Sequence, residues 1–157
     1  MARILIAEDE QELRELYSEV LVTAGFEVDG AKDGQEALQK ILAGGHDLVL
    51  LDVMMPILDG LGVLTQLTSQ NPQLTNIPPI VMWSNLSHEP AVAQAMQMGA
   101  KEYLVKANIT PDQLITVVIK YTGSPNPQAA APQAAQPVSI DVPAPAPEAA
   151  PPQAPQQ

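Results

Sequence analysis

The sequence contains no cysteine, which excludes disulfide bonds, thiolate nucleophiles and zinc sites built on thiolates. It also lacks any apolar run near the roughly 18 residues that a membrane-spanning helix requires. Its first ten residues offer only four consecutive apolar side chains before an acidic group, too few for a secretory signal peptide. These absences indicate a protein that works in a reducing cytoplasm, away from membranes.

Positive charge is scarce as well. Seven Lys and Arg residues stand against 18 Asp and Glu residues, which gives a net charge of −11. A protein of that sign repels the phosphates of nucleic acids, so the composition argues against direct binding of DNA or RNA.

The composition changes near residue 123, and no Lys or Arg follows that point. Ten of the 16 prolines lie in residues 123–157, where Ala and Gln make up most of the remainder. Such a segment buries too little apolar surface to offset the entropy lost on ordering. We therefore predict a folded domain at 1–122 and a disordered tail at 123–157. Because the tail carries no DNA-binding, catalytic or basic motif, we expect a stand-alone domain.

The tail has one β-branched island, PVSIDV, at residues 137–142. It fits either a docking peptide or a chance interruption of the Pro- and Ala-rich sequence. The sequence alone leaves both readings open.

Residues 1–122 alternate five strand-like runs with five segments of helical periodicity. Strands are predicted at 3–7, 26–31, 48–51, 78–83 and 102–106. Helix starts are marked by a capping box at Asp33 and Glu36 and by Thr110 before Pro111. A repeated βα unit gives a parallel sheet with helices on both faces. We therefore predict an α/β fold with a five-stranded, doubly wound, flavodoxin-like sheet.

Charged and polar side chains follow four of the predicted strands. They are Glu8, Asp9 and Glu10 after the first strand, Asp52 after the third, Ser84 after the fourth and Lys106 at the end of the fifth. In a parallel sheet these strand ends open on one edge, so we expect the side chains to converge there. Neighbouring carboxylates repel one another, and Lys106 with a hard divalent ion such as Mg²⁺ would offset that repulsion. A carboxylate beside Mg²⁺ and an ammonium group suits attack on a phosphoryl group.

Four stretches of the chain resemble a known family. They are ILIAEDE, DLVLLDVMMPILDG, IVMWSN and GAKEYLVKAN, and they occur in this order across essentially all of residues 1–122. Together they resemble the receiver domain of two-component response regulators, in the form of a stand-alone, chemotaxis-regulator-like protein.

The resemblance implies roles for the charged residues Glu8, Asp9, Asp52 and Lys106 at the strand ends. Asp52 would be the phosphoacceptor. Glu8 and Asp9 would hold Mg²⁺ together with Asp52 and the backbone carbonyl of Met54, with Asp9 bound directly and Glu8 through water. Lys106 would contact the phosphoryl oxygens.

The resemblance also implies a switch and a set of partners. Ser84 matches the hydroxyl that moves toward the phosphoryl group, and Tyr103 matches the aromatic residue whose rotamer changes with it. A histidine kinase or phosphotransfer protein would donate the phosphoryl group, and the domain would promote its own phosphorylation and dephosphorylation. An unknown downstream protein would bind the face formed by the fourth helix, fifth strand and fifth helix.

Two residues depart from the family pattern. Ala107 follows Lys106 where the family usually has Pro, often after a cis peptide. Asn85 follows Ser84 where a small residue such as Ala or Gly is common. Asn85 is therefore expected to alter water access to the phosphoryl group and the lifetime of the phosphorylated state.

Two other functions are compatible with parts of the sequence. A protein-interaction module could keep the receiver fold and signal without phosphate, although the complete set of acids, hydroxyl and Lys106 argues against it. A phosphohydrolase would need an acid two residues after the nucleophile, where Met54 stands. His46 and His88 lack metal-ligand spacing and are predicted to be solvated.

Overall fold

The computed structural model describes residues 1–70, 73–85 and 89–124. The strands are β1 (Arg3–Ala7), β2 (Glu27–Ala31), β3 (Leu48–Asp52), β4 (Ile80–Ser84) and β5 (Glu102–Val105). The helices are α1 (Gln11–Thr23), α2 (Gly34–Ala43), α3 (Gly60–Thr68), α4 (Glu89–Gln97) and α5 (Pro111–Thr122). A short 3-10 turn (Lys106–Asn108) follows β5. The predictions of a disordered tail beyond residue 124, of the island at 137–142 and of a solvated His88 lie outside the described residues.

The five strands form one parallel sheet in the order β2-β1-β3-β4-β5. β1 pairs with β2 on one side and with β3 on the other, so the strand order reverses beside β1. Such a reversal opens a crevice at the carboxyl ends of the strands. The predicted doubly wound α/β fold is confirmed.

Helices cover both faces of the sheet. One core contains Leu38 of α2, Val63 of α3 and Ala95 of α4, and the other contains Leu21 of α1 and Val118 of α5. β3 and β4 are buried at every position, as expected for continuous apolar strands in the middle of a parallel sheet. Asp52 and Ser84 therefore stand at the ends of the two most enclosed strands. Within the part of the chain that the structure describes, none of the helices combines the length and the hydrophobicity that a membrane span requires.

Four of the five strands differ from the prediction by one or two residues at an end: β2 begins at Glu27, β3 ends at Asp52, β4 spans Ile80–Ser84 and β5 ends at Val105. β4 begins at Ile80 because Pro78 and Pro79 have no N–H to donate to the sheet. β5 ends at Val105, and the backbone turns at Lys106 into the 3-10 turn. All of these differences lie at strand ends, where the local sequence determines the boundary least.

The predicted helix caps form only in part. Thr110 caps α5 as predicted, accepting a hydrogen bond from an N–H of the first turn. Asp33 likewise accepts the N–H of Glu36 at 2.8 Å. The second hydrogen bond of the predicted capping box, from the N–H of Asp33 to the Glu36 carboxylate, is wrong. That carboxylate instead accepts the N–H of Lys32 at 3.4 Å and pairs with Lys40 Nζ at 3.2 Å.

The prediction of a solvated His46 is wrong. Its side chain is 3% exposed, and its Nε2 lies 3.2 Å from Oδ2 of Asp29. Lys40 Nζ contacts the other oxygen of Asp29 at 2.8 Å. Burial alone would raise the pKa of Asp29, but the hydrogen bonds with Lys40 and His46 outweigh it and lower that pKa. The loop before β3 therefore packs onto β2 through a charged cluster.

Candidate functional site

Four side chains from separate strand ends meet in the crevice. Glu8 follows β1, Asp52 ends β3, Ser84 ends β4 and Lys106 follows β5. All four residues are buried, with exposed fractions of 8% or less. The sheet therefore brings three ionisable side chains and one hydroxyl group together in a buried site at the carboxyl ends of its strands.

Lys106 bridges two of the acidic groups. Its Nζ donates to Oδ2 of Asp52 at 2.8 Å and to Oε2 of Glu8. Burial alone would lower the pKa of Lys106, but the hydrogen bonds to Asp52 and Glu8 outweigh it and raise the pKa above its usual value. Lys106 therefore remains an ammonium group at neutral pH and supplies the positive charge of the crevice.

Glu8 is fully shielded from solvent. Burial raises its pKa to about 7, although the hydrogen bond from Lys106 acts in the opposite direction, and the nearby charge of Asp52 adds to the rise. The N–H of Glu10 donates to its Oε1 at 3.2 Å, and Arg14 Nη1 donates to its backbone carbonyl at 2.7 Å. Glu8 is therefore held in place but lies close to its protonation midpoint at neutral pH.

Three carboxylates form a group with the chemistry of a cation site. Glu8, Asp9 and Asp52 can each present one oxygen, and these oxygens lie within 4.8 Å of one another. Asp9 is exposed whereas the other two are buried, so the group opens to solvent on the Asp9 side. The N–H of Met54 donates to Oδ1 of Asp52 at 3.1 Å and orients that carboxylate. Carboxylate oxygens of this kind suit Mg²⁺.

Tyr103 and Ser84 join the same site from β5 and β4. Their side chains share a hydrogen bond. Burial raises the pKa of Tyr103, the Ser84 hydrogen bond opposes that rise, and the charge of Asp52 adds to it. The two residues predicted to act as a switch pair are thus in contact, and the charge of Asp52 acts on the pKa of Tyr103.

Arg14 is a part of the site that the sequence did not predict. It lies in α1 and reaches back to the Glu8 carbonyl, and its side chain packs over Gly30, where an added Cβ would lie 3.2 Å from its Cδ. The ring of Trp83 also borders the site, with its centroid 5.2 Å from Lys106 Nζ. An aromatic face stabilises an ammonium group at this distance.

Gly60 keeps α3 in close contact with the backbone of Asp52. A Cβ at Gly60 would lie 2.2 Å from the Asp52 carbonyl oxygen and 2.9 Å from Met82 Cε. Gly60→Ala is therefore expected to lower the free energy of unfolding by about 2 kcal/mol, measured by urea denaturation. Gly62→Ala is the control in the same helix, because the nearest atom there is the flexible end of Leu58. It should change stability by less than about 1 kcal/mol, and equal losses in both variants would contradict this role of Gly60.

A family model described as the response regulator receiver domain matches residues 4–119. The chain belongs to that family. The predicted resemblance to receiver domains is therefore confirmed, and receiver domains as a family are phosphoacceptor modules of two-component signalling. Receiver domains bind Mg²⁺ at an acidic pocket, are phosphorylated by histidine kinases or phosphotransfer proteins, and act on downstream partners.

Curated relatives carry the names of transcriptional regulators. The chain is 29% identical over 143 residues to the transcriptional regulatory protein PrrA of Mycobacterium tuberculosis, covering 90% of this chain and 60% of that protein. It is 40% identical over 105 residues to the transcriptional regulatory protein PdtaR of the same species, covering 66% of this chain and 49% of that protein. The chain thus spans about half to three fifths of the length of these relatives.

Solved structures show the same fold. The receiver domain of a Francisella response regulator superimposes with a TM-score of 0.69 at 29% identity, covering 78% of this chain and 97% of that one. The response regulator TrrA of Thermotoga maritima, solved in complex with Mg²⁺ and BeF, gives a TM-score of 0.66 at 36% identity. That match covers 77% of this chain and 99% of TrrA.

Proposed function

We propose that this protein accepts a phosphoryl group on Asp52 from a histidine kinase or phosphotransfer protein and signals through the phosphorylated state. The observation that carries the proposal is the setting of Asp52, which ends the buried strand β3 with Lys106 Nζ at 2.8 Å and two further carboxylates beside it. We further infer that residues 1–122 are the receiver domain and that residues 123–157 form a separate tail.

Mg²⁺ fits the oxygen donors of the site. Glu8, Asp9, Asp52 and the backbone carbonyl of Met54 would hold it, and the exposed side of Asp9 offers a path for entry. When bound, Mg²⁺ neutralises negative charge on the phosphoryl oxygens. This role is consistent with the Mg²⁺ and BeF complex of TrrA.

The transfer step follows from the residues that touch Asp52. A carboxylate oxygen of Asp52 attacks phosphorus and forms an O–P bond while the P–N bond of a phosphohistidine breaks. The electron pair of that bond leaves with the imidazole nitrogen, which takes up a proton. Lys106 remains an ammonium group throughout and is placed to attract the oxygens of the transferred group, since it already contacts the attacking carboxylate.

The switch is proposed to run from Ser84 to Tyr103. The new charge on Asp52 attracts the Ser84 hydroxyl, and the hydrogen bond between Ser84 and Tyr103 carries this change to β5. The face formed by α4, β5 and α5 then presents two populations of conformations, and a downstream protein binds one of them.

Phosphoryl uptake tests the proposed function. The wild-type protein is incubated with acetyl phosphate, and intact-mass spectrometry follows the addition of one phosphoryl group. We expect uptake with Mg²⁺ and none with an excess of EDTA. An absence of uptake under both conditions, with partner binding retained, would favour the interaction module that signals without phosphate.

The affinity for Mg²⁺ is expected to depend on pH through Glu8. Its pKa in the folded protein is raised to about 7, so below that pH a proton occupies the carboxylate that Mg²⁺ needs. Affinity should therefore rise from about pH 5 to about pH 7, by up to about tenfold per pH unit, and level off above. Isothermal titration calorimetry measures it. An affinity that stays constant over this range would contradict the role of Glu8, and Glu8→Gln should weaken the dependence.

Asn85 is expected to shield the phosphoryl group from water. It is exposed and directly follows Ser84, so Asn85→Ala should speed the loss of phosphate from Asp52 by about threefold to tenfold. The decay of the phosphorylated protein after removal of the donor measures the rate. Asn76→Ala, a change at another exposed asparagine, is the control. Equal decay rates in wild type and Asn85→Ala would rule this effect out.

A further inference from the structure

β5 is an edge strand of the sheet. It pairs with β4 on one side, and no strand among the described residues pairs with its other side. Every second residue of such a strand directs its N–H and C=O away from the sheet. The outer edge of β5 is therefore a template on which another extended segment can form hydrogen bonds.

An apolar groove of about 420 Å³ lies between β5 and α5. Its apolar walls include the half-buried side chains of Leu104, Val105, Ile109 and Val117. None of the residues that line it is charged. The groove thus accepts aliphatic side chains and offers no partner for a charged one.

The tail of the chain begins beside the first residue of β5. Lys120 Nζ and the hydroxyl of Tyr121 both lie 2.6 Å from Oε2 of Glu102, which ties the last turn of α5 to the first residue of β5. α5 ends at Thr122, and Gly123 follows with a φ of 84°. The chain therefore leaves the domain beside the edge strand.

The tail carries one segment that matches this edge in pattern and length. Apart from proline, its apolar side chains larger than alanine are Val138, Ile140 and Val142. They alternate with two polar residues, so in an extended strand all three point to one side. Pro137 and Pro143 bound the segment, since neither has an N–H to extend a ladder. The segment between them is five residues long, and β5 has four residues.

We propose that residues 138–142 dock on the outer edge of β5 as a sixth strand and place Val138, Ile140 and Val142 in the apolar groove. The linker of residues 123–137 reaches about 50 Å when extended, whereas β5 is about 13 Å long, so every position along the groove is within reach. The tether holds the segment at an effective concentration of about a millimolar, so few contacts suffice to populate the docked state. The docked segment covers the β5–α5 part of the proposed signalling face. It requires no phosphoryl group, so its test is independent of the proposed function.

Disulfide trapping in the full-length chain tests the docking, since the protein has no cysteine of its own. The trapping pair is Thr116→Cys in the groove with Ile140→Cys. The controls are Thr116→Cys with Ala131→Cys, Thr116→Cys with Ala149→Cys, and Gln39→Cys on α2 with Ile140→Cys. We expect an intramolecular disulfide to form at least about tenfold faster in the trapping pair than in any control. Equal rates, or disulfides formed mainly between two chains, would overturn the proposal.

Hydrogen exchange gives a second measurement that introduces no cysteine. In the triple variant Val138→Ser, Ile140→Ser and Val142→Ser, the outward-facing amides of β5 should exchange about tenfold faster than in wild type. The matched variant Ala144→Ser, Ala146→Ser and Ala149→Ser introduces the same number of serines in the tail outside the segment and should leave β5 unchanged. The substituted residues of both variants lie beyond residue 122, so we expect the folding of the domain to be unaffected. Equal exchange of β5 in all three proteins would contradict the docked strand.

Discussion

Replacing Asp52 with asparagine is expected to abolish phosphoryl uptake, with a fall in rate of more than about a thousandfold. The amide has nearly the shape of the carboxylate but no anionic oxygen to attack phosphorus. Its carbonyl oxygen can still accept the N–H of Met54, which now donates to Asp52 at 3.1 Å. Lys106 retains Glu8 as its ion-pair partner. The loss of uptake would therefore report the loss of the nucleophile in a folded protein.

Asp59→Asn is the matched control for that variant. Asp59 lies in the loop after β3, is exposed, and caps α3 by accepting the N–H of Gly62 at 2.7 Å. Asparagine caps helices about as well as aspartate, so the fold should be unaffected. We expect wild-type uptake of phosphate from acetyl phosphate and Mg²⁺. Uptake by Asp52→Asn at the rate of this control would show that Asp52 is not the acceptor.

Replacing Lys106 with methionine is expected to move two measurable quantities in opposite directions. Phosphoryl transfer should slow by about 100-fold to 1000-fold, because the ammonium group that attracts the phosphoryl oxygens is gone. Binding of Mg²⁺ should tighten by about tenfold, because Lys106 no longer competes for Glu8 and Asp52. A residue with only a structural role would not produce this pair of effects.

Lys106→Met should also lower the free energy of unfolding by an amount that depends on pH. Without the ammonium group two buried carboxylates lack a cationic partner, which costs about 3 kcal/mol when both are ionised. The cost should be larger above the pKa of Glu8, which is about 7 in the wild type, and smaller below it, because a protonated Glu8 carries no charge.

Lys101→Met, at an exposed lysine, is the control for that variant. It should change neither the transfer rate nor the affinity for Mg²⁺. Calorimetric titration and phosphoryl uptake measure the two effects. Weaker Mg²⁺ binding in Lys106→Met would contradict the competition between Lys106 and the cation.

Much of the fold could be predicted because each level of the sequence points to the same arrangement. The apolar runs of β3 and β4 predict central strands, and those strands are buried throughout. The convergence of Glu8, Asp52 and Lys106 follows from strand ends alone, because parallel strands finish at one edge. Periodicity and topology therefore place the acidic site before any contact is known.

Other features depend on contacts between distant residues, which a linear pattern does not show. His46 reads as a loop residue, yet Asp29 on β2 supplies the partner that buries it. Arg14 reads as a helix surface charge, yet it reaches the carbonyl of Glu8. Glu36 has the spacing of a capping box, but Lys40 one turn later competes for its carboxylate. In each case a long polar side chain has several acceptors or donors within reach, and only the fold selects among them.

The central claim is that Asp52 carries the phosphoryl group, and reduction of the phosphorylated wild-type protein tests it most directly. Borohydride converts an aspartyl phosphate to homoserine, and peptide mass spectrometry then identifies the position that was modified. We predict homoserine at position 52 only, and only when acetyl phosphate and Mg²⁺ were both present. Homoserine at Asp9 or Asp59, or a phosphoryl group that resists reduction, would contradict the account.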